Sequence, residues 1–553
     1  MWVDLLAQRG MLIGWGGVLL AQAVLFVAGP SGRPASPVPV NLDFSIMVVR
    51  FCWTIVVAAL FVQSDSLVGT TAFWMTRPIP RPVLLIAKVL STVVWFVAMP
   101  IVVMAGALLW LGMSPLDALI GGGLVGQEQA VILAMAVMAA LVTVNVGQLV
   151  VAGIAGVTLV AAFNGLLLPV LTLTWPSVGS SLAGWQPTVY ITTVIAGALL
   201  VTAYHYFTLR AWRSLVLIAS TMFAATALTR LWPAPPLVPD IGPVPETVMS
   251  ASAVTLNASS RAPRIEDIAR WIMGKHDRLW RIQFETTSTG HPPNIYLWPI
   301  VARTEITFPT LTPLQWSGPT ALTPIERAVG DRTEGQPWRS IQLALGDVAL
   351  ETPHLWKYFT PVADVSDADF RARSSVPGQL KAEITMLAYR YEITASAPLQ
   401  AGAAFRRSRR AGRIVSVTSL NPGARIELRE TMLEGAPPLA KGDFGISWYV
   451  LRNKARRQAV LLQWRANEPF TASVGITATW VHATRGLLEV DSPETGALFT
   501  VDAAWLEGAE LVLVEPKALG VLTRPLVIDN VMLGGGPTQS PVPSPQPLAG
   551  AVR

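Results

Sequence analysis

The stretch LWPAPPLVPDIGPVP, Leu231 to Pro245, divides this 553-residue chain into two unlike parts. Six prolines in fifteen residues cannot continue a helix and make a stiff connector. Up to residue 240 the chain carries only nine Lys/Arg and six Asp/Glu of totals of 41 and 35. Most of the charge therefore lies beyond the prolines, and its density roughly triples there. That contrast predicts an α-helical polytopic membrane domain over residues 1–232. A Pro-rich linker follows at 233–247, and then a water-facing half.

A helix needs about 20 apolar residues to cross about 30 Å of hydrocarbon. About seven spans are expected, at 11–29, 44–63, 83–112, 129–146, 149–172, 188–206 and 214–231. The first is longer than a signal-peptide core and has only Arg9 before it, so it is expected to be retained. With the N-terminus inside, Arg77, Arg81, Arg210 and Arg213 fall in inner loops. The outer loops 30–43, 113–128 and 173–187 carry only Arg33 between them. This asymmetry matches the positive-inside rule and places everything after Trp232 outside. Trp110, Trp175, Trp185 and Trp232 lie at outer span ends, where amphipathic aromatic rings collect. Small residues such as Gly14, Gly16, Gly17, Gly153 and Gly156 suit close helix packing.

Arg50 is the one charge well inside an expected span. Either its long side chain snorkels to the outer surface, or it forms an intramembrane polar site with Glu128 or Asp117.

Beyond the linker, short alternating runs rich in β-branched and aromatic residues replace the long apolar ones. "LWRIQFETT" (Leu279–Thr287), "SIQLAL" (Ser340–Leu345) and "EITMLAYRYEITA" (Glu383–Ala395) are examples. They predict an extracytoplasmic, all-β, sandwich-like region. Its size suggests two β-rich domains, 248–375 and 376–535, before a disordered Gly/Pro/Ser-rich tail at 536–553. One helix is expected at "RIEDIARWIMGK" (Arg264–Lys275), from the spacing of its apolar positions. The lone Cys52 rules out intrachain disulfides, and a disulfide-free outer domain is ordinary in bacteria. The expected location is the bacterial cytoplasmic (inner) membrane.

Catalytic motifs are lacking. The histidines His205, His276, His291, His354 and His482 have no zinc-site spacing, and there is no phosphate-binding P-loop. The net charge of +6 is spread over both halves and gives no reason to expect a nucleic-acid partner. The run "FRRSRRAGR" is the strongest local charge. Arg406, Arg407, Arg409, Arg410 and Arg413 form either a solvated turn or a patch for anionic groups.

The loop between the second and third spans is the richest signal. Ser64–Met75 reads as an amphipathic helix with Leu67, Thr71 and Trp74 on one face. Thr76, Arg77 and Pro78 end it, Arg81 follows, and Lys88 lies inside the next span. "FWMTRPIPRPVLLIAKVL" resembles the inner loop of ABC-2-type transporter permeases, and "AYHYFTLRAWR" (Ala203–Arg213) is similar to a span ending in that family. The resemblance covers about residues 1–232. It implies a permease, homodimeric or paired with a similar chain, whose inner loop docks as a coupling helix on a separate ABC ATP-binding subunit. ATP would be bound by that partner, with no cofactor on this chain. Exporter function is the implied activity. The short N-terminus, the seventh span and the outer β-region depart from the family pattern. The alternative is a membrane-anchored sensor or scaffold whose β-domains bind an envelope ligand or protein.

Overall fold

The computed structural model describes residues 2–28, 49–60 (except 51 and 59), 81–143, 147–148, 185–208, 210–231, 241–258, 263–272, 275–319, 337–351, 359–420, 423–433, 447–473, 481–490 and 499–534. Of the expected coupling loop, residues 64–80 fall outside this set. So do half of the span 44–63, all of 149–172 and the tail 536–553.

The helical part begins with α1 (Trp2–Ala28) and α2 (52–58, with residues 49 and 50 helical just before it). Next comes α3 (Arg81–Val93), which passes through a π-helical segment (Val94–Ala98) into α4 (Met99–Trp110). Pro100 explains the π-helical segment. It has no N–H to give and its ring crowds the preceding turn, so the helix widens just before it. The Met99 N–H accordingly reaches back five residues to the Val94 carbonyl. Then follow α5 (Pro115–Val142), α6 (Trp185–Thr208) and α7 (Ala211–Leu231).

Among the described residues three helical stretches, not seven, are long and apolar enough to cross a membrane: Leu85–Trp110, Pro115–Leu141 and Tyr190–Thr208. Arg9–Val24 and Trp212–Ala225 are shorter apolar helices.

The expected outer loop 113–128 is corrected to helix. Ser114 caps α5 by accepting the Asp117 N–H at 3.1 Å and donating to Asp117 Oδ2 at 2.6 Å. The glycines and polar residues that made this stretch look loop-like have helical uses. A methyl group on Gly122 would lie 2.7 Å from the Ile101 carbonyl oxygen, and one on Gly126 would lie 2.3 Å from Ile101 Cγ1. These two glycines let α4 and α5 pack closely. Of the glycines expected to pack, Gly14 meets Trp53, while Gly16 and Gly17 meet nothing within 4 Å.

The described residues of the β-rich part form three sheets. The largest has strand order β5-β4-β8-β16-β12-β13-β6. Its members are β4 (Ile295–Thr307), β5 (Leu314–Pro319), β6 (Ala349–Glu351), β8 (Gly378–Pro398), β12 (Trp448–Asn453), β13 (Gln458–Leu461) and β16 (Ala509–Val531). A second sheet pairs β3 (Lys275–Thr289) with β1 (Thr255–Ala258), β2 (Arg264–Ile272) and β7 (Phe359–Ser366). The third has order β14-β15-β11-β10-β9. It comprises β9 (Ala404–Arg407), β10 (Arg410–Ser419), β11 (Ala424–Leu433), β14 (Gln463–Ser473) and β15 (Val481–Val490).

The strands β8 and β16 are 21 and 23 residues long, roughly 70 to 80 Å at about 3.4 Å per residue. They pair antiparallel from Glu510↔Pro398 to Val531↔Gly378 and serve two cores. Leu380, Ile384, Met386, Leu522 and Leu526 pack with Ile282, Phe284 and Val362 of the second sheet. At the other end Ala397, Leu511 and Leu513 pack with Phe405, Ile414, Ile426 and Leu428 of the third. The boundary expected near residue 375 therefore does not separate the sheets, because the largest sheet takes strands from both sides of it. Two sandwiches share one long central ribbon instead.

Two local expectations are corrected. Arg264–Ile272 is a strand, not a helix, because it pairs along its length with β3. Ser340–Leu345 falls mostly in a helix, Pro337–Ala344, which buries Ile341 and anchors Ser340 Oγ to the Asn294 carbonyl at 2.6 Å. The end of the expected linker is also pinned. Val244 N–H donates to the Val521 carbonyl, and Val521 N–H to that of Gly242. Gly520 sits beneath this bridge with φ +151°, where a side chain would meet Val244 N at 2.6 Å.

Candidate functional site

Arg50 is 1% exposed, and its guanidinium turns inward among α1, α2 and α5. Its Nη1 donates to Gln22 Oε1 at 2.8 Å, and its Nη2 lies 3.8 Å from Glu128 Oε1. The Gln129 amide oxygen, in the orientation that satisfies both groups, accepts from Arg50 Nε and Nη2 at 3.2 Å each. Below it the Arg50 carbonyl accepts from Thr54 Oγ1 at 2.8 Å, and Thr54 Oγ1 in turn accepts from Trp15 Nε1 at 3.0 Å. Trp15 is fully buried and meets Phe96 of the π segment edge-on, 5.0 Å between centroids. One chain of polar contacts thus ties α1 to α2 and α5 and ends on the widened turn. Asp117, the other carboxylate considered for Arg50, is used in the α5 cap.

This arrangement can hold a charge away from water by splitting its neutralisation between one carboxylate and two neutral amides. Gln22 and Gln129 were the residues sequence reasoning missed. The signal available was polar residues at positions 22, 128 and 129 within otherwise apolar helices.

The coupling-loop residues Leu67, Thr71, Trp74, Thr76, Arg77 and Pro78 lie outside the described residues. Arg81 opens α3, and Lys88 is half-buried one to two turns further on. Lys88 lines an apolar cavity of about 180 Å³ between α3, α5 and α6, together with Leu85, Leu141, Ile195 and Tyr206.

The arginine run is divided by strand alternation. Arg407 and Arg410 face the interior of the second sandwich. Arg410 forms ion pairs with Glu430 and, at 3.1 Å, with Glu515, and Arg407 pairs with Glu515 as well. Ser447 Oγ adds a hydrogen bond to Glu515 Oε1 at 3.1 Å. Burial pushes the Glu430 carboxyl above its usual range, although Arg410 opposes the shift. Burial also raises the neighbouring Tyr449 phenol well above its ordinary value, and Glu430 adds to this. Arg410 itself is desolvated, yet Glu430 and Glu515 keep it firmly charged. Arg409 occupies the second position of a two-residue turn with φ +61°. Arg406 and Arg413 are exposed.

The third sheet also touches the helical part. Ala411 and Leu433 join a buried cluster with Phe26, Leu108, Met113 and Ala118. Arg429 Nη2 donates to the carbonyls of Phe26, at 3.1 Å, and Val27. Those carbonyls belong to the last turn of α1 and lack acceptor bonds within the helix, so Arg429 caps it across 400 residues of sequence.

Among the described residues no group of three or more His, Cys, Asp or Glu side chains converges as metal ligands would. Comparison with known proteins finds no matching family, no matching curated protein and no matching solved structure.

Proposed function

We propose that this chain is the transmembrane permease subunit of an ABC-2-type transporter, with export as its activity. In this reading it is energised by a separate ATP-binding subunit that docks on the inner loop between the second and third spans. The observation that carries the reading is the order Thr76-Arg77-Pro78-Ile79-Pro80-Arg81 followed by Leu84, Leu85 and Lys88. A membrane protein needs Lys or Arg in an inner loop to fix its orientation. It does not need an amphipathic stretch, a proline stop and this spacing as well.

The geometry of the described helices supports the reading. The continuous stretch Arg81–Trp110 is roughly 45 Å long at about 1.5 Å per residue, more than the hydrocarbon thickness of about 30 Å. The third sheet packs at its Trp110 end, beside Leu108 and Met113. Arg81, where this stretch begins, is therefore at its far end from the contact with the β-rich part. A seven-span chain with its N-terminus inside would carry the β-rich part outside the cytoplasmic membrane of a bacterium and offer the loop to the cytoplasm. Arg77 and Arg81 would meet headgroups or acidic residues of the ATPase. Movement of the spans would reach the β-rich part through α1 and Arg429.

The test is co-purification with an ABC ATPase encoded beside this chain. Wild type should bind it and stimulate ATP hydrolysis, whereas Arg77→Glu and Trp74→Ala should each reduce association at least about tenfold, the loss expected of a hot-spot residue. If both variants bind and stimulate as wild type does, the coupling assignment is wrong. The sensor or scaffold reading would then be favoured.

A further inference from the structure

We infer that one face of the third sheet is a binding surface for anionic phospholipid headgroups, built around Arg406 and Arg413. The inference rests on the reading that the helices span a membrane. It does not depend on ATPase docking at the opposite end.

The run Phe405–Arg413 alternates between two faces. Phe405, Arg407, Arg410 and Gly412 face the sandwich interior, where Phe405 lies across Gly412 and the two arginines meet Glu430 and Glu515. Arg406 is directly opposite Ala411 in register, and Ala404 is opposite Arg413. Arg406, Ala411 and Arg413 therefore share the other face. Arg413 is opposite Arg429 on β11, and Arg425 is two alternations further along the same face. Glu427, between Arg425 and Arg429, accepts from Ser416 Oγ at 3.1 Å. On β9 to β11 the face thus carries four arginines and one carboxylate, and β15 adds Arg485 opposite Arg429 and Glu489 opposite Arg425.

The depth of this face is set by its own contacts. Ala411 and Leu433 pack against Leu108 and Met113, and Arg429 bonds the end of α1. Trp110, between Leu108 and Met113, is 81% exposed at the end of α4. An exposed Trp ending an apolar helix belongs in the headgroup layer, where its ring and its N–H are both satisfied. Ala411 is at that level. Arg406, its cross-strand neighbour, and Arg413, two residues on, continue the same face beside that contact. They are exposed, and they sit where lipid phosphates would be. Phosphate suits them because guanidinium groups bind it with paired, charge-assisted hydrogen bonds. The surface is continuous with the helix–sheet contact, so a bilayer headgroup reaches it without any movement of the sheet.

The experiment uses the full chain in nanodiscs, with Cys52→Ser as background and a bimane probe on Ser408→Cys in the exposed β9–β10 turn. Nanodiscs of phosphatidylcholine alone are compared with mixtures containing phosphatidylglycerol, and a nitroxide on the lipid headgroup quenches the probe. We expect quenching in both, at least twofold stronger with phosphatidylglycerol and diminished by salt. Arg406→Gln with Arg413→Gln should bring quenching in the two lipids close to equal, because the charges that favour phosphatidylglycerol are gone. Arg406→Lys with Arg413→Lys should retain most of it and guards against a folding artefact. Absence of quenching, equal quenching in both lipids, or a preference untouched by the Gln pair would overturn the inference. Soluble polyphosphate that abolishes the lipid response at trace concentration would also overturn it, in favour of a soluble polyanion. Loss of ATPase association in Arg77→Glu, measured separately, bears on the other end of the molecule alone.

Discussion

Arg50 and Arg410 are both guanidinium groups removed from water, and they are neutralised in different ways. Arg410 has two carboxylates against it, Glu430 and Glu515, and Glu515 is shared with Arg407. Arg50 has one carboxylate at 3.8 Å, and the rest of its hydrogen bonds go to the neutral amides of Gln22 and Gln129. The β-rich part locks its charges into a compact cluster between two sheets. The helical part holds its charge in a looser cradle, spread over three helices and ending on a π-widened turn. Amides can exchange partners at little electrostatic cost, whereas a desolvated carboxylate cannot lose its cation cheaply. The first arrangement suits a clamp and the second suits helices that shift against one another.

The largest predicted effect tests the clamp. Glu515→Ala removes the carboxylate that Arg407 and Arg410 share, and it should cost about 3–5 kcal/mol of stability. Thermal unfolding of the purified chain checks this, and a loss below about 1 kcal/mol would contradict the clamp.

Next comes the cradle. Arg50→Met removes the buried cation that faces Glu128 and should destabilise the helical part by about 3 kcal/mol. Adding Glu128→Gln to Arg50→Met should recover most of that loss, since replacing both members of a buried pair is often nearly neutral. A double variant no better than the single one would show that Arg50 acts through something other than its charge pair. Comparing detergent melting curves of the two variants decides it.

Gly412→Ala sharpens the comparison from the packing side. The new methyl would meet the Phe405 ring at 2.1 Å, next to Arg410. Overpacking of this kind costs about 1–3 kcal/mol, and it should be read in the near-ultraviolet signal of the aromatic core. The smallest effect is common to both parts. Ser114 and Ser366 cap helices by the same pair of bonds, to Asp117 and Asp369 respectively. Each Ser→Ala change should cost about 1 kcal/mol, and a much larger loss at Ser114 would show that the α5 cap has a role beyond the helix end.

Much of this architecture is legible in the sequence because hydropathy and alternation are local. The change at Leu231–Pro245 separates helices from strands, and the runs at Leu279–Thr287 and Glu383–Ala395 read correctly as strands. The start of α5 was not legible. Gly121–Gly123 and the polar run Gln127–Gln129 lower hydropathy locally, and their justification is tertiary: Ile101 needs the space and Arg50 needs the amide and the carboxylate. Arg264–Ile272 carries apolar residues at helical spacing, yet its pairing with β3 prevails over that pattern. The shared ribbon of β8 and β16 joins residues more than 100 positions apart, which no window along the chain can detect. The arginine run read as one unit, a solvated turn or a patch for anionic groups, but period-two alternation assigns Arg407 and Arg410 to a buried cluster and Arg406 and Arg413 to the surface. For Arg50, the sequence left open snorkelling or a pairing with Glu128 or Asp117, while the choice of Glu128 and the amides of Gln22 and Gln129 emerge only when three helices meet.

The central claim is that the β-rich part and the loop at Thr70–Arg81 lie on opposite sides of a membrane. Single cysteines at Thr70→Cys and Ser408→Cys, each in a Cys52→Ser background, test it with a membrane-impermeant maleimide on intact cells. The account predicts that residue 408 is labelled in intact cells once any outer barrier is permeabilised, whereas residue 70 is labelled only after the cytoplasmic membrane is opened. Labelling of both before that step, or of residue 70 alone, would contradict it.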